Sequence, residues 1–338
     1  LAPRRGVELT RNRYFESWSQ DARPDGHADR IVVRVSSDAG ARLAATERGD
    51  LDVTELADAF GSNVPPSEIE ALLARHPERL HATATPSLFY LWMNVHKPPF
   101  DDVRVRRAIN YAVDRELIAE LEGGAPLASP ACHFVAPGHP GYTPECDYTR
   151  NPRRGIWSSP DIERALALVD RSQTAGRTVT VNVPDDKVRV GRYLVRLLDR
   201  LGYPSRLHVT ADYGRYRSHL AAARDRVQIG TDGWAADFPS PTDFTTPFVC
   251  ANYRPGRPDN PNLSQHCDAR FEGLIGAASD ARGADADAFW HAAYRRLARS
   301  APAAPLVNRR GAVFVSERLG NYQHHPLFGV LFDQVWVR

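Results

Sequence analysis

The sequence has no uninterrupted apolar run of about 18 residues, so it contains no segment typical of a transmembrane helix. It also has no excess of one charge sign, with 43 Lys and Arg residues against 41 Asp and Glu residues. That balance argues against a general nucleic-acid binder, which normally concentrates basic residues on one face. No secretory signal peptide is recognisable and the chain begins at Leu1, which predicts a mature, excised or truncated piece of a longer protein.

The familiar catalytic motifs are absent as well. The sequence contains no G-x-S-x-G, no H-E-x-x-H, no P-loop and no G-x-G-x-x-G at a strand-to-helix turn. Asp232 and Asp237 are close enough in sequence to suggest the paired carboxylates of a glycosidase, but nothing else in the chain supports that reaction. The adjacent His324 and His325 would point to opposite faces of a strand and would not share a metal ion. The sequence therefore predicts a binding protein rather than an enzyme, with no cofactor and no metal.

The four cysteines form two close pairs in loop-like sequence that is rich in Pro, Gly, Asn and Tyr. Cys132 is paired with Cys146, and Cys250 with Cys267. An even count in such loops predicts two local disulfides and an oxidising compartment. The alternative is a set of four reduced structural cysteines in a cytosolic protein. A zinc site is disfavoured because the sequence has no C-x-x-C spacing.

At 338 residues the chain is long enough for two domains or one large bilobal unit. The pattern around residues 31–56 predicts a compact βαβ-like unit, and Ser87–Asn94 is rich in apolar and aromatic residues, as in a strand. After residue 160, helices and strands alternate, which favours an α/β lobe with a largely parallel sheet. The predicted elements are helices at Ala41–Arg48, Asp161–Ser172, Val188–Leu201 and Tyr213–Arg224, and strands at Ile31–Val35, Leu51–Leu56, Thr178–Val183, Arg206–Val209, Val227–Gly230, Pro305–Asn308 and Ala312–Ser316.

Residues 94–114, the signature segment, predict the end of a strand, a corner and the start of a helix. Pro98 and Pro99 remove two backbone donors and favour extended backbone, so the preceding strand must stop there. Asp101 is expected to cap the helix, where the helix dipole favours negative charge. Apolar residues then recur at helical spacing until Gly123 and Gly124, which predicts one helix over this range.

The order of residues in the signature segment, Asn-Val-His-Lys-Pro-Pro-Phe-Asp-Asp-Val-Arg-Val-Arg-Arg-Ala-Ile-Asn-Tyr-Ala-Val-Asp, resembles that of the family-five extracellular solute-binding proteins. These proteins deliver oligopeptides, dipeptides and nickel complexes to ABC importers. Two further segments are similar to family motifs: Ala41–Val53, around Gly-Asp-Leu-Asp-Val, and Leu9–Phe15. The resemblance extends from Leu9 to about Val315 and leaves out the N-terminal portion of the family.

A second motif of the family is Gly-Trp-x-x-Asp-x-x-x-Pro-x-x-Phe, which is matched by Gly233, Trp234, Asp237, Pro241 and Phe244. The resemblance implies that Asp237 pairs with the α-ammonium group of a ligand and that Trp234 lines the pocket. A charge-assisted bond to a carboxylate and an aromatic face suit that role. The structural alternatives are an Asx-turn for Asp237 and core packing for Trp234. The candidate ligand contacts are Asp237, Trp234, Phe238, Trp92 and Asn94, of which Trp92 and Asn94 would otherwise pack at a hinge.

The resemblance implies an α/β, bilobal, periplasmic-binding-protein-like fold of type II-like arrangement, with hinge-linked lobes and the N-terminal part of the first lobe missing. The expected division is a partial first lobe at 1–97, a second lobe at 98–305 and a return to the first lobe at 306–338. The expected function is extracytoplasmic capture of a small ligand, a short peptide in the first instance, in an inter-lobe cleft for an ABC permease. The alternative is a sensory ectodomain fused to a signalling or transcriptional regulator. The protein is expected to act as a monomer at the cell surface or in the periplasm, anchored or fused through the missing region.

Overall fold

Residues Pro86–Arg309 form one unit of the structure, here unit 2, and the sequence on either side of it, Leu1–Thr85 and Arg310–Arg338, forms unit 1. The computed structural model describes residues 6–19, 26–61, 64–153, 155–223 and 226–338. The strands are β1 (Val7–Thr10), β2 (Arg30–Val33), β3 (Val53–Ala57), β4 (Leu80–Ala84), β5 (Ser87–Met93), β6 (Ala128–Pro130), β7 (Val179–Pro184), β8 (Ser205–Thr210), β9 (Ile229–Ala235), β10 (Ala303–Val315), β11 (Leu319–Gly320), β12 (His324–His325), β13 (Gly329–Val330) and β14 (Trp336–Val337).

The helices predicted at 41–48, 161–172, 188–201 and 213–224 begin within two residues of the predicted positions. Asp161 accepts a hydrogen bond from the backbone of Arg164 and so begins a helix where the sequence predicts one. The predicted end of the helix at Tyr213 included Arg224, which lies outside the described residues. The α-helices are α1 (Ala39–Arg48), α2 (Pro66–Arg75), α3 (Val103–Ala112), α4 (Arg115–Leu121), α5 (Ile162–Ser172), α6 (Val188–Arg200), α7 (Tyr213–Ala222), α8 (Ala269–Asp280) and α9 (Gly283–Ser300).

Unit 1 contains short antiparallel pairings. β1 lies antiparallel to β2, with Val7 opposite Val33, and the last part of β10 lies antiparallel to both β3 and β4. Because β2 pairs with β1 and β3 pairs with β10, the βαβ-like unit expected around α1 does not form. The helix itself is present, and it ends at Gly49, which adopts a left-handed φ of 80°.

Unit 2 is built on a mixed sheet. β7 is parallel to β8 and β9, whereas β5 is antiparallel to β9 and to the first part of β10. The expectation of a largely parallel sheet is therefore wrong, because β5 enters beside β9 from the opposite direction. The pairing of β5 with β9 and β10 also places residues 86–97 and 306–309 in unit 2. The expected division into lobes at 1–97, 98–305 and 306–338 remains a prediction.

Strand β5 shows why the unit 2 sheet is covered on both faces. All seven of its residues are buried, and consecutive side chains belong alternately to two hydrophobic clusters. Phe89, Leu91 and Met93 pack in the cluster that includes residues of α3, α4, α5 and α6, while the second cluster includes residues of α7, α8 and α9. The β5 members of that second cluster are Leu88, Tyr90 and Trp92.

The signature segment differs in two details from the prediction. The carboxylate of Asp102, and not that of Asp101, accepts the backbone N–H of Arg104 and caps α3. The predicted single helix is also divided: α3 ends at Ala112, and Asp114 caps α4 by accepting the N–H of Leu117. A second capping aspartate inside the apolar periodicity is the physical reason for the division.

Arg106 connects the signature segment to α9. Its guanidinium donates to the carbonyl oxygen of Ser300 at 2.8 Å and to that of Phe100 at 2.7 Å. Arg107 donates to the carbonyl oxygen of Arg299 at 2.7 Å. The last carbonyls of a helix lack intrahelical partners and lie at the negative end of its dipole, so two arginines stabilise this terminus. Burial lowers the pKa of Arg106 to about 10.

Both predicted disulfides are present. Cys132 is bonded to Cys146 and Cys250 to Cys267, with Cα atoms 4.8 Å and 4.6 Å apart. The sequence interpretation of two local bridges is confirmed. Within the described ranges, no helix combines the length and apolar character that crossing a membrane requires.

Candidate functional site

The candidate site lies where β9 leaves the sheet of unit 2. Trp234 is opposite Leu88 in the last part of the strand, and it packs half-buried against the second hydrophobic cluster. The backbone then passes through Asp237 and Phe238 into the 3-10 helix Asp243–Phe248. The aromatic ring and the first polar side chains after the strand are thus held close to one edge of a covered sheet.

One buried carboxylate organises this loop. Asp243 is 1% exposed, and its Oδ1 accepts the indole N–H of Trp234 at 3.0 Å. Its Oδ2 accepts the backbone N–H groups of Asp237 at 2.6 Å and Phe238 at 3.2 Å. An ionised carboxylate has only acceptors, which matches three donors arriving from the same loop. Asp243 therefore fixes both the indole plane and the backbone that carries Asp237.

The side chains of Asp237 and Phe238 are exposed, although their backbone amides donate to the buried carboxylate of Asp243. Phe238 has 47% of its surface exposed. An exposed carboxylate next to exposed and half-buried aromatic rings is chemically suited to bind an organic cation, by a charge-assisted hydrogen bond and by contact with a ring face. The predicted contacts of Trp234, Asp237 and Phe238 with a ligand remain predictions.

The segment between Cys132 and Cys146 supports the same loop from another side. His139 Nε2 donates to the carbonyl oxygen of Phe238 at 3.1 Å, and its ring lies edge-on to Phe244 at 5.0 Å. Gly141 has a φ of 84°, and a Cβ atom at this position would lie 2.8 Å from the Pro241 side chain. The close approach requires glycine. A disulfide-bounded segment is thus packed directly against the candidate site.

Two predicted site residues lie in the interior instead. Trp92 is 0% exposed, and its indole N–H donates to the hydroxyl of Tyr216 at 3.3 Å. Asn94 is also 0% exposed; its amide donates to the carbonyl of Val227 at 3.1 Å and accepts the N–H of His96 at 3.0 Å. These contacts match the packing role that the sequence left open, and the geometry gives no support to ligand contact by either residue.

Asp232 has a structural environment that explains its position near the motif. Its carboxylate accepts the hydroxyl of Tyr213 at 2.8 Å, the guanidinium of Arg217 at 2.6 Å and the N–H of Gly233 at 2.9 Å. Burial raises the pKa of Asp232 above its ordinary value, and the charge of Arg217 opposes that shift. Asp232 is thus a buried carboxylate with partners on α7, while Asp237 is exposed in the loop, which is unlike the paired carboxylates of a glycosidase.

A concavity of about 500 Å³ lies elsewhere in unit 2, near Val95, at the other end of β5 from Ser87. Three of its charged lining residues have partners: Arg296 is paired with Asp268 at 2.8 Å, and Arg106 donates to backbone carbonyls. In the described part of the chain, no group of three or more His, Cys, Asp or Glu residues could hold a metal ion.

Asp243 is the residue that the sequence interpretation missed. It stands immediately before Phe244, the last residue of the recognised motif, and it was not among the motif positions. Its importance depends on burial and on three donors that approach from residues five to nine positions earlier. A lone aspartate in a loop of Pro, Ser and Thr carries no local signal for that arrangement.

The fold is that of periplasmic peptide-binding proteins, which confirms the predicted fold class. The structure is similar to that of "Clavulanic acid biosynthesis oligopeptide binding protein 2", with a TM-score of 0.84 and 22% identity over 100% of this chain and 61% of that chain. It is also similar to the ABC transporter-associated periplasmic binding protein DppA from Helicobacter pylori in complex with peptide STSA, with a TM-score of 0.74, 19% identity and coverage of 99% and 60%.

The family follows from the sequence match. The family model of bacterial extracellular solute-binding proteins, family 5 (middle region), matches residues 2–254, and the chain belongs to this family. A curated relative, the "Probable di/tripeptide-binding protein 5" of Pseudomonas aeruginosa (strain UCBPP-PA14), is 24% identical over 330 residues, which are 92% of this chain and 56% of that protein. The chain spans about half the length of the curated relatives it matches. Family members are binding proteins rather than enzymes.

Proposed function

We propose that Trp234, Asp237 and Phe238 form a ligand-binding site, here called the Trp234–Asp237 site. In this proposal, the chain is part of an extracytoplasmic solute-binding protein that captures a short peptide for an ABC importer. The observation that carries the proposal is the exposed side chain of Asp237, whose backbone N–H is bonded to the same buried Asp243 carboxylate as the indole N–H of Trp234. A rigid support of this kind lowers the entropic cost of placing a charged group against a ligand.

In this proposal, the Asp237 carboxylate pairs with the α-ammonium group of the peptide. The ring of Trp234 and the exposed ring of Phe238 contact the first residue of the ligand. An ammonium group donates to a carboxylate more strongly than a neutral amine, and an aromatic face attracts the same cation. The site therefore selects a free amino terminus over an acylated one.

The functions of similar proteins support the proposed ligand class and the proposed delivery to an importer. The Pseudomonas aeruginosa relative is described as a di/tripeptide-binding protein, and the Helicobacter pylori structure contains a peptide and is described as ABC transporter-associated. The two disulfides agree with an oxidising location outside the cytoplasm. Delivery to a permease and the extracytoplasmic location belong to the same proposal.

Calorimetry with trialanine and N-acetyl-trialanine tests the ammonium contact. We expect the wild-type chain to prefer the free amine, and Asp237→Asn to lower that preference by about tenfold, the scale of a charge-assisted hydrogen bond. Asp287→Asn, which removes an exposed charge from α9, is the matched control and should bind as the wild type does. Equal binding of the acetylated and free peptides by the wild-type chain would contradict the proposal.

Mass spectrometry of material co-purified with the chain provides an independent measurement of ligand class. We expect short peptides with free amino termini. A single non-peptide solute, recovered reproducibly and lost in Asp237→Asn, would overturn the assignment to peptides while leaving Asp237 as a ligand contact.

A further inference from the structure

We propose that Asp243 is the positioning residue of the Trp234–Asp237 site, and that its buried negative charge strengthens the preference of the site for cationic ligand groups. This inference rests on the proposed function. It concerns a residue that contacts no ligand itself and acts through Trp234 and the backbone of Asp237.

The positional part follows from how the three donors are shared between two oxygens. One oxygen of Asp243 accepts the Trp234 indole at 3.0 Å, and the other accepts the amides of Asp237 at 2.6 Å and Phe238 at 3.2 Å. An asparagine at this position has one acceptor oxygen, and its NH₂ group would face N–H donors on the other side. The substitution Asp243→Asn must therefore release either the indole or the loop amides, although it hardly changes the side-chain volume.

The electrostatic part follows from the surroundings of the carboxylate. Asp243 is 1% exposed, and within the described residues the partners of its carboxylate are N–H groups of the indole and the backbone, with no Lys, Arg or His ion pair. Amide and indole dipoles hold the charge without cancelling it. A charge shielded from water acts over a longer distance than an exposed one, so Asp243 adds to the field of Asp237 where a ligand cation would bind.

Contacts from the neighbouring elements keep the arrangement in place. Tyr294 on α9 donates its hydroxyl to the carbonyl oxygen of Pro241, and His139 donates to that of Phe238. Both bonds engage the loop carbonyls, whereas Asp243 engages the loop amides. Among the described contacts, the amides of Asp237 and Phe238 have the Asp243 carboxylate as their acceptor, whereas the neighbouring amides of Ala236 and Ser240 donate to backbone carbonyls. Removing that carboxylate should therefore release Asp237 without releasing the whole loop.

The decisive variant is Asp243→Asn in the full chain, with Asp259→Asn as the matched control. Asp259 is an exposed aspartate of unit 2 that pairs with Arg254 and Arg257, so its substitution changes the net charge equally. We expect Asp243→Asn to lower affinity for trialanine about tenfold and to reduce the preference over N-acetyl-trialanine, on the scale of a charge-assisted bond. A folded Asp243→Asn chain that keeps wild-type affinity and preference overturns the inference.

Nuclear magnetic resonance of the ligand-free chain separates this inference from the proposed function. We expect the amide resonances of Asp237 and Phe238 and the indole N–H of Trp234 to shift in Asp243→Asn and not in Asp259→Asn. If the wild-type chain binds no peptide, the proposed function fails, and unchanged resonances would then overturn the positioning role as well.

Trp234→Phe is the second variant, because it removes one donor to Asp243 and leaves the carboxylate in place. It decides the question if Asp243→Asn does not fold. We expect a loss of trialanine affinity relative to the wild type, with the amide resonances of Asp237 and Phe238 shifted. Wild-type resonances for both amides in Trp234→Phe would count against a shared carboxylate.

Discussion

The guanidinium of Arg106 donates a hydrogen bond of 2.8 Å to the carbonyl oxygen of Ser300, which lies 194 residues later in the chain. This bond joins the first helix after the Pro98–Pro99 corner to the last carbonyl of α9. Arg106 and Arg107 of the signature segment are therefore explained by tertiary structure, since both donate to carbonyl oxygens at the end of α9.

Arg106→Gln should lower the free energy of unfolding by about 3 kcal/mol, because carbonyl oxygens of Phe100 and Ser300 lose a shared charged donor in the interior. Urea unfolding of the purified chain measures the change. Arg192→Gln, on the exposed side of α6, is the matched substitution and should leave the midpoint unchanged. Equal midpoints for the two variants would show that the α9 terminus does not depend on Arg106.

Gly230→Ala should destabilise unit 2 by about 2–3 kcal/mol, the usual cost of overpacking a core. A Cβ atom at Gly230 would lie 2.6 Å from the Asn182 carbonyl oxygen, 2.6 Å from the Trp92 ring and 2.7 Å from the Tyr216 hydroxyl. Gly276→Ala is the control, since a Cβ atom there meets nothing within 4 Å, and alanine favours a helix over glycine by up to about 1 kcal/mol. The midpoint temperature of thermal unfolding should be lower than that of the wild type in Gly230→Ala and higher in Gly276→Ala.

The pH dependence of stability should contain a contribution from His133. Burial lowers the pKa of the folded-state imidazole to about 4, below its ordinary value of about 6.5. The unfolded chain binds the proton first, so this contribution is complete above about pH 6.5 and is lost as the pH falls towards 4. Nδ1 of His133 accepts the N–H of Val135 at 3.0 Å, and protonation of Nδ1 would prevent this hydrogen bond.

His133→Asn tests this contribution, because the Asn oxygen can replace Nδ1 as the acceptor for Val135 while removing the titration. Between pH 6.5 and 4, the variant should lose about 3 kcal/mol less unfolding free energy than the wild type. Urea unfolding at several pH values measures the difference between the two curves. Parallel curves across that interval would refute the contribution.

The two disulfides should differ in their effect on binding. Each closes a short loop, with sequence separations of 14 and 17, so Cys132→Ser/Cys146→Ser and Cys250→Ser/Cys267→Ser should each cost about 3 kcal/mol of stability. The first pair bounds the segment in which His139 supports the Phe238 carbonyl. We therefore expect the larger loss of trialanine affinity in Cys132→Ser/Cys146→Ser. A larger loss in the other pair would argue against support of the loop by His139.

Local signals account for much of the predicted structure. Asp161 predicts the start of α5 because a capping carboxylate acts within one turn, and the apolar run Ser87–Asn94 predicts β5 because burial on both faces needs no alternation. The division at Asp114 was missed because the same periodicity continues on both sides of it. The strand β10 was predicted in two pieces, while the structure has a single strand with bulges.

The sequence by itself determined the family, the two disulfide pairs, most helix starts and the location of the Trp234–Asp237 motif, because each depends on neighbouring residues or on a pattern of fixed spacing. The tertiary structure alone decided that Asp243 holds the motif, that Trp92 and Asn94 lie in the interior, and that Arg106 and Arg107 of the signature segment cap α9. Those outcomes depend on which donors and acceptors meet after folding, and a buried polar group must find its partner wherever the chain brings one within hydrogen-bond distance.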